Sequence, residues 1–438
     1  MKGVNVVIYI ILLHGVNGDE DTCEMSACEA LQQSQMELRE FADSLEENNT
    51  NSYLCGKSQR TTKKWIECGR GPCKCRPETR TLSCWQNYLS SLPADQVLPH
   101  DVRSIDLGIN RLSTLNKDAF QMLSLLSELD LFDNVLDHLP ENIFEKLESL
   151  KYLRLHKNRI EDVPENLLSS LFAFTDLISL RRLFLAENNV TLLPTGVFDR
   201  LTNLEVLNLR KNQISYIPQN LFDKLHNIRI IQLTNNKLTQ IGVNDFRRLT
   251  NIAELHLGQN FIVDIPENSF VENRNMEKLF LLANNLEELK EKTFNGLISL
   301  TSLFLNNNMI KNIHSRVFTY TPSLQKLQLD SNKLNFLPSK SLDFLTQLVS
   351  IKLARNPWHC DCNILYLAIW VSNNNEKLWD SESSCRGPGV LGGLLLKDMS
   401  FDDLCDGQWA SMTNLSPRIP IRNKPNEELK ESRNESQA

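Results

Sequence analysis

The sequence lacks the features of a nucleic-acid-binding protein and of an enzyme. Its 47 basic residues are outnumbered by 54 acidic ones, for a net charge of −7, whereas a protein that neutralises phosphates needs a basic excess. The eight histidines are scattered, with no nucleophile or metal motif around them and no glycine loop to cradle a phosphate. We therefore expect no catalysis, no cofactor, no metal and no nucleic-acid partner.

Long apolar runs are also missing beyond the N-terminus. The longest, residues 390–396, falls far short of the roughly 18 residues that span a bilayer, and the polar C-terminus carries no lipid-anchor signal. We expect no membrane anchor. Lys2, an apolar run over residues 4–13 and small residues up to Gly18 are typical of a secretory signal peptide. We therefore predict a secreted, extracellular protein, with a buried N-terminal strand as the alternative interpretation.

Cysteine is absent from the middle of the chain. None of the eleven cysteines lies between Cys84 and Cys360. In an oxidising compartment, disulfides near the two ends are the expected state. The odd total means that one thiol stays free, pairs with another chain or is lost in a local exchange.

A repeat fills this cysteine-free region. The pattern L-x-x-L-x-L-x-x-N-x-L recurs eleven times, and nine of the ten intervals between its asparagines are 24 residues. This is the signature of leucine-rich repeats, none of which can bury its own core. We predict an α/β repeat fold, a curved leucine-rich repeat solenoid with a parallel β-sheet on its concave face. The asparagines are Asn110, Asn134, Asn158, Asn188, Asn212, Asn236, Asn260, Asn284, Asn308, Asn332 and Asn356.

Each repeat is expected to have the same interior. Alternate strand residues such as Leu207 and Leu209 should point inward, and the asparagine amide should bond the backbone of the turn that leaves the strand. Ten residues after the asparagine, phenylalanine recurs, which favours a stacked core spine over an aromatic ligand site. Its members are Phe120, Phe144, Phe198, Phe222, Phe246, Phe270, Phe294 and Phe318, with Leu168 and Leu342 as exceptions.

One interval is longer than the others. Asn158 and Asn188 are 30 residues apart, and the extra six residues lie within 168–179. Tolerated loop growth on the convex or lateral side is the favoured interpretation, and a partner contact is the alternative.

Cysteine-rich blocks flank the repeats. The first has the spacing C-x4-C-x-C-x8-C, and the second begins N-P-W-H-C-D-C at Asn356. Both resemble the caps of extracellular leucine-rich repeat proteins such as Slit, Toll-type ectodomains and lamprey variable lymphocyte receptors, over residues 68–405. A zinc site at His359, Cys360 and Cys362 is a disfavoured alternative. The resemblance implies the disulfides Cys68–Cys75, Cys73–Cys84, Cys360–Cys385 and Cys362–Cys405.

The remaining cysteines, Cys23, Cys28 and Cys55, lie in an acidic arm with an apolar stripe at helical spacing. A helix packed on the N-terminal cap and tied by one disulfide is favoured over a disulfide-linked dimerisation arm. The predicted segments are a signal peptide (1–18), this helical arm (19–67), an N-terminal cap (68–101), the repeats (102–355), a C-terminal cap (356–405) and a flexible polar tail (406–438). Glycosylation sequons occur at Asn48, Asn189, Asn414 and Asn434.

Outward strand positions carry the functional hypothesis, because the repeat does not fix them for folding. They include Phe184, Phe280 and Phe304, and exposed aromatic residues mark interaction sites. We predict that an extracellular protein ligand binds the concave face, anchored by these phenylalanines. A basic zone would steer an acidic partner, and its proposed contacts are Arg154, Arg182 and Arg210.

Three alternatives remain open. The phenylalanines could simply pack against one another. A matrix organiser would use the same fold to bind fibres or glycosaminoglycan, and its basic zone predicts salt-sensitive heparin binding. An innate-immune recognition protein would bind microbial products or partner proteins, and its N-terminal arm predicts a covalent dimer.

Overall fold

The computed structural model describes residues 64–140, 143–144, 146–161, 177–379 and 383–405. The chain divides into two compact units. The first unit comprises Met1–Ile262 and Ser269–Phe280, and the second comprises Val263–Asn268 and Leu281–Ala438. Several predictions fall outside the described residues: the signal peptide, the arm up to residue 63 with its three cysteines, residues 162–176 of the long interval, the tail after 405, and Asn48, Asn414 and Asn434.

The first unit is a ladder of three-residue strands. β1 (Lys74–Arg76) and β2 (Thr81–Ser83) form an antiparallel hairpin, and every later strand pairs in parallel with the one before it. The register advances by one repeat, so Leu207 lies opposite Ile231. The parallel strands are β3 (Ser104–Asp106), β4 (Glu128–Asp130), β5 (Tyr152–Arg154), β6 (Arg182–Phe184), β7 (Val206–Asn208), β8 (Ile230–Gln232), β9 (Glu254–His256) and β10 (Lys278–Phe280).

The second unit continues the same pattern and adds the C-terminal cap. Its strands are β11 (Glu288–Leu289), β12 (Ser302–Phe304), β13 (Asn312–Ile313), β14 (Lys326–Gln328) and β15 (Ser350–Lys352). β12, β14 and β15 pair in parallel in that order, and β11 pairs with β13. The described α-helices of this unit are α1 (Leu365–Asn373) and α2 (Phe401–Cys405), and 3-10 turns cover Val317–Tyr320, Cys362–Ile364, Asn375–Lys377, Gly389–Leu391 and Leu396–Asp398.

The core is built as the repeat predicts. Leu207 and Leu209 are fully buried, and the spine phenylalanines that the structure describes are at most 1 % exposed. Within the first unit, consecutive rings from Phe198 to Phe270 lie nearly parallel with centroids 6.3 to 6.4 Å apart. In the second unit, Phe294 and Phe318 repeat this arrangement at 6.3 Å. The predicted spine is confirmed wherever it is described.

The ladder asparagines join neighbouring repeats. The side-chain oxygen of Asn236 accepts a hydrogen bond from the Ile214 N–H at 3.1 Å, and its amide nitrogen donates to the Leu209 and Leu233 carbonyls at 3.0 Å each. The ladder asparagines are between 3 and 8 % exposed, so these backbone groups have no access to bulk water. One side chain thereby satisfies three backbone groups that would otherwise be buried without partners.

A second, outer asparagine ladder was missed by the sequence analysis. The amides of Asn203, Asn227, Asn251 and Asn275 each donate to a backbone carbonyl 25 residues earlier, at 2.8 to 2.9 Å. All four side chains are exposed. Their 24-residue spacing was visible in the sequence, but exposed asparagine is also common in ordinary loops.

Disulfides hold both caps. The structure contains Cys68–Cys75 and Cys73–Cys84 in the first unit, and Cys360–Cys385 and Cys362–Cys405 in the second, which are the pairs that the resemblance implies. Both cysteines of the alternative zinc site are therefore oxidised. Trp358 is fully buried in the C-terminal cap, and its indole N–H donates to the Leu353 carbonyl at 3.2 Å. The caps cover apolar surface that a terminal repeat would otherwise expose.

We predict that Asn236→Ala destabilises the protein by about 3 kcal/mol, because one N–H and two carbonyls lose their buried partner. Asn251→Ala is the matched control from the outer ladder, and it should cost about 0.5 to 1 kcal/mol, since water can replace its bond. Chemical denaturation of both variants measures the difference. Equal losses would contradict the structural role assigned to the inner ladder.

Candidate functional site

An aromatic row lies on the outward face of the sheet in the first unit. It consists of Phe132, His156 and Phe184, all half-buried and each one repeat further along. The Phe132 and His156 rings stack with centroids 5.0 Å apart, and Phe184 meets the His156 ring edge-on at 6.3 Å. Phe184 lies opposite Arg154 in the register, and His156 follows two residues after Arg154 on the same face, so the pairing of β5 with β6 brings these two rings together.

Burial in this row favours the neutral form of the His156 imidazole. Burial lowers the pKa of its imidazole below the ordinary value of 6.5, and this outweighs the opposing attraction of Asp130. Its Nδ1 atom is buried and has no hydrogen-bond partner among the described residues. The three rings therefore form a mostly apolar row.

Carboxylates of the same surface pair with part of the basic zone. Arg154 lies 3.3 Å from an Asp130 oxygen, and Arg210 and Lys211 both lie 3.2 Å from one oxygen of Glu187. The hydrogen bond from Lys211, followed by the charges of both cations, holds the pKa of Glu187 below its ordinary value. The local positive charge is thus largely balanced within the protein.

Arg182 differs from the other two predicted arginines. Its guanidinium lies 5.5 Å from the centre of the Tyr152 ring, a cation–π contact, and it is exposed. Among the described residues it has no carboxylate partner. The structure therefore brings the three predicted arginines to the face that carries Phe184. Within the described part of the chain, Arg182 is the one of these three that forms no ion pair with a carboxylate.

Two shallow concavities border the aromatic row. The smaller one, of about 230 Å³, is lined by Arg154, His156, Phe184, Ala186, Glu187, Asn208 and Arg210. The larger one, of about 540 Å³, extends to the N-terminal cap and includes Trp85, Asp106 and Asp130. Burial raises the pKa of Asp130, although its carboxylate accepts the Phe132 N–H and faces Arg154.

Trp85 belongs to this surface, and the sequence pattern did not identify it. It is 47 % exposed and lines the larger concavity. It directly follows Cys84, so it lies outside the repeat pattern that identified the other outward residues. The adjoining β2 aligns in parallel with β3, and this pairing was the signal that sequence spacing could not supply.

The other predicted anchors have their own surroundings. In the first unit, Phe280 stacks on His256 with ring centroids 4.1 Å apart, and His256 in turn contacts Glu254 at 3.1 Å. In the second unit, the half-buried Phe304 has the Lys326 ammonium 5.7 Å from its ring centre. Both rings retain exposed surface, so their role as anchors stays a prediction.

The sequon residue Asn189 is half-buried beside a ladder asparagine. Its backbone N–H donates to the Ile160 carbonyl at 2.9 Å, while Thr191 of the sequon is exposed. Glycosylation at this position stays a prediction.

The family follows from comparison with known proteins. The sequence profile of the leucine rich repeat family matches residues 77–136 and, in overlapping windows, 178–238, 226–286, 250–310, 274–334 and 298–357, more than half of the chain. The chain is a leucine-rich repeat protein. In the described part of this leucine-rich repeat protein, no helix has the length and apolarity to cross a membrane, and no group of side chains could hold a metal ion.

Sequence relatives match short segments. SLIT and NTRK-like protein 4 of Mus musculus is 37 % identical over 57 residues, which is 13 % of this chain and 7 % of that protein. The platelet glycoprotein Ib beta chain of Rattus norvegicus is 35 % identical over 54 residues, which is 12 % of this chain and 26 % of that protein. The matched segments thus span a small part of these relatives.

Solved structures share the fold over a longer span. A chain of the octameric complex of Latrophilin 3, Unc5D and FLRT2 superposes with a TM-score of 0.65 at 22 % identity, covering 76 % of this chain and 98 % of that one. A chain of the Drosophila Toll–Spatzle complex gives a TM-score of 0.58 at 24 % identity, covering 73 % and 50 %. At these identities the likeness concerns the fold.

We predict that acidification destabilises the protein partly through His156. Its native pKa is below the unfolded value, so its contribution to stability is present above pH 6.5 and is lost as the pH falls below that value. His156→Gln should reduce the loss of unfolding free energy between pH 7.4 and 5.5, by up to about 1.4 kcal/mol per pH unit.

Denaturation at the two pH values tests this prediction. His226→Gln, which removes an exposed histidine outside the strands, should leave the wild-type pH dependence in place. If His156→Gln shows the full wild-type loss, the imidazole is not held neutral by the aromatic row.

Proposed function

We propose that this leucine-rich repeat protein is a secreted, non-enzymatic binding protein that recognises an extracellular protein ligand through the outward, concave face of its sheet. The observation that carries the proposal is the aromatic row of Phe132, His156 and Phe184, whose half-buried rings contact one another on the outward face of the sheet. Aromatic anchors on a rigid surface are typical of the residues that dominate protein–protein affinity.

The charges around the row suit a binding rim. Because Arg154 and Arg210 already pair with Asp130 and Glu187, a ligand need not dehydrate isolated charges to reach the rings. An apolar centre surrounded by polar groups is the usual organisation of a protein interface. Among the three predicted arginines, Arg182 is the one best placed to steer an acidic partner.

The solved neighbours support a protein ligand. FLRT2 is present in a complex with Latrophilin 3 and Unc5D, and Toll in a complex with Spatzle. The glycosaminoglycan alternative is less well supported, because a polysulfate would have to compete with Asp130 and Glu187 for two of the arginines. The described residues also present no constellation of nucleophile, base and oxyanion donors that would favour an enzyme.

Affinity capture from extracellular fluid or cell surfaces tests the proposal. We expect Phe184→Asp to weaken binding of the captured partner about 30-fold, which corresponds to a hot-spot loss of about 2 kcal/mol. Phe280→Asp with Phe304→Asp tests the other two anchors in the same way. Thermal unfolding and non-reducing gels would show that each variant is folded.

Phe261→Asp provides the matched control. Phe261 is 52 % exposed but follows a ladder asparagine outside the strands, so the same substitution should leave binding unchanged. A partner that is retained by folded Phe184→Asp and by the double variant would place the binding site elsewhere. Elution from heparin near physiological salt with no protein partner would instead favour the matrix role.

A further inference from the structure

A second cluster of outward side chains lies in the second unit, at the junction of the repeats and the C-terminal cap. It consists of Lys326 of β14, Lys352 of β15 and Trp379 of the cap. We infer that this lysine–tryptophan cluster binds a carboxylate-bearing segment of a protein partner in which an aromatic or other apolar side chain accompanies the acid. The inference rests on the proposed protein-binding function but concerns a separate surface.

The backbone fixes the indole beside the sheet. The backbone N–H of Trp379 donates to the Ile351 carbonyl at 3.0 Å, and Leu378 forms a parallel bridge with Ile351. The cap segment is thus joined to the edge of the sheet by one parallel bridge, between Leu378 and Ile351 of β15. Trp379 is nevertheless 56 % exposed, although tryptophan is on average a highly buried residue.

Two ammonium groups converge on this one ring. Lys326 Nζ lies 3.8 Å from the ring centre and Lys352 Nζ lies 4.7 Å from it, both within cation–π range. The two lysines are diagonal neighbours on the sheet, because Lys352 lies opposite Gln328 in the register. Their long side chains are therefore held in place by the ring rather than extended freely into solvent.

This arrangement places like charges together without a described counter-charge. Neither lysine forms an ion pair within the part of the chain that the structure describes. The outward carboxylate of the same repeat, Asp330, accepts a hydrogen bond from Ser331 at 3.4 Å and forms no ion pair with either lysine. The repulsion between the two ammonium groups is offset by attraction when an external carboxylate binds both of them.

The chemistry around the lysines favours a protein segment over a sulfated polysaccharide. Lys326 also lies 5.7 Å from the Phe304 ring, so two aromatic surfaces accompany only two positive charges. Polysulfates gain affinity from long runs of cations, whereas tryptophan beside a positive charge is typical of protein hot spots. An acidic side chain next to an aromatic one matches both parts of the cluster.

Fluorescein-labelled octapeptides of alternating glutamate and tyrosine are the probe, with glutamine–tyrosine octapeptides as the neutral control. Fluorescence anisotropy with the full chain should show binding of the acidic peptide alone, weakened by added salt. Lys326→Glu with Lys352→Glu should reduce its affinity at least about 10-fold. The matched control, Lys333→Glu with Lys340→Glu, changes the net charge equally at two exposed lysines outside the strands and should alter affinity less than about 2-fold.

The indole is tested separately from the charges. Trp379→Phe should keep affinity within about 3-fold, whereas Trp379→Ala should lower it about 10-fold, with folding checked by thermal unfolding. Equal binding by wild-type and charge-reversed chains, no binding of the acidic peptide, or binding of heparin alone would each overturn the inference.

The two proposals fail in different ways. Phe184→Asp should leave peptide binding unchanged, because Phe184 is not among the residues that contact Lys326, Lys352 or Trp379 in the described part of the chain. If the wild-type chain does not bind the acidic peptide but captures a partner through the aromatic row, this inference is overturned and the proposed function stands.

Discussion

The hydrogen bonds of the buried asparagine amides are the interaction on which the rest of the structure depends. Each strand is only three residues long, so the chain must turn away from the sheet with its polar groups still in the interior. The Asn236 side chain meets this need by bonding one N–H and one carbonyl of the preceding repeat and one carbonyl of its own repeat. An apolar residue of similar size would leave all three groups unsatisfied, at a cost comparable to the free energy that burial of a leucine side chain contributes.

This internal constraint also shapes the outward surface. Inward positions are committed to leucine and asparagine, and neighbouring strands lie about 4.8 Å apart, so outward side chains of successive repeats stand nearly side by side. Flat rings fit this spacing well, as the 5.0 Å stacking of Phe132 on His156 shows. The aromatic row is thus a product of parallel register acting on a few variable positions.

The sequence predicts the burial of residues at positions that recur with the repeat period. Burial of Leu207, of Phe222 and of the ladder asparagines could be predicted because each position recurs every 24 residues. The ion pair between Arg154 and Asp130 could not, since it depends on side-chain conformations across two repeats. Trp85 and Trp379 lie in cap segments outside the period, where only the fold shows that they reach the sheet surface. The outward surface is therefore less predictable than the scaffold that supports it.

Charge is used differently on the two surfaces. On the aromatic row, carboxylates of the protein pair with Arg154, Arg210 and Lys211, so discrimination between ligands at this proposed site would depend mainly on shape and apolar contact. In the lysine–tryptophan cluster, aromatic rings hold the ammonium groups without cancelling their charge. A cation–π contact fixes a lysine in position while leaving its field available to a ligand. The first arrangement limits the cost of desolvation, and the second provides long-range attraction, so a single repeat scaffold can present two distinct modes of recognition.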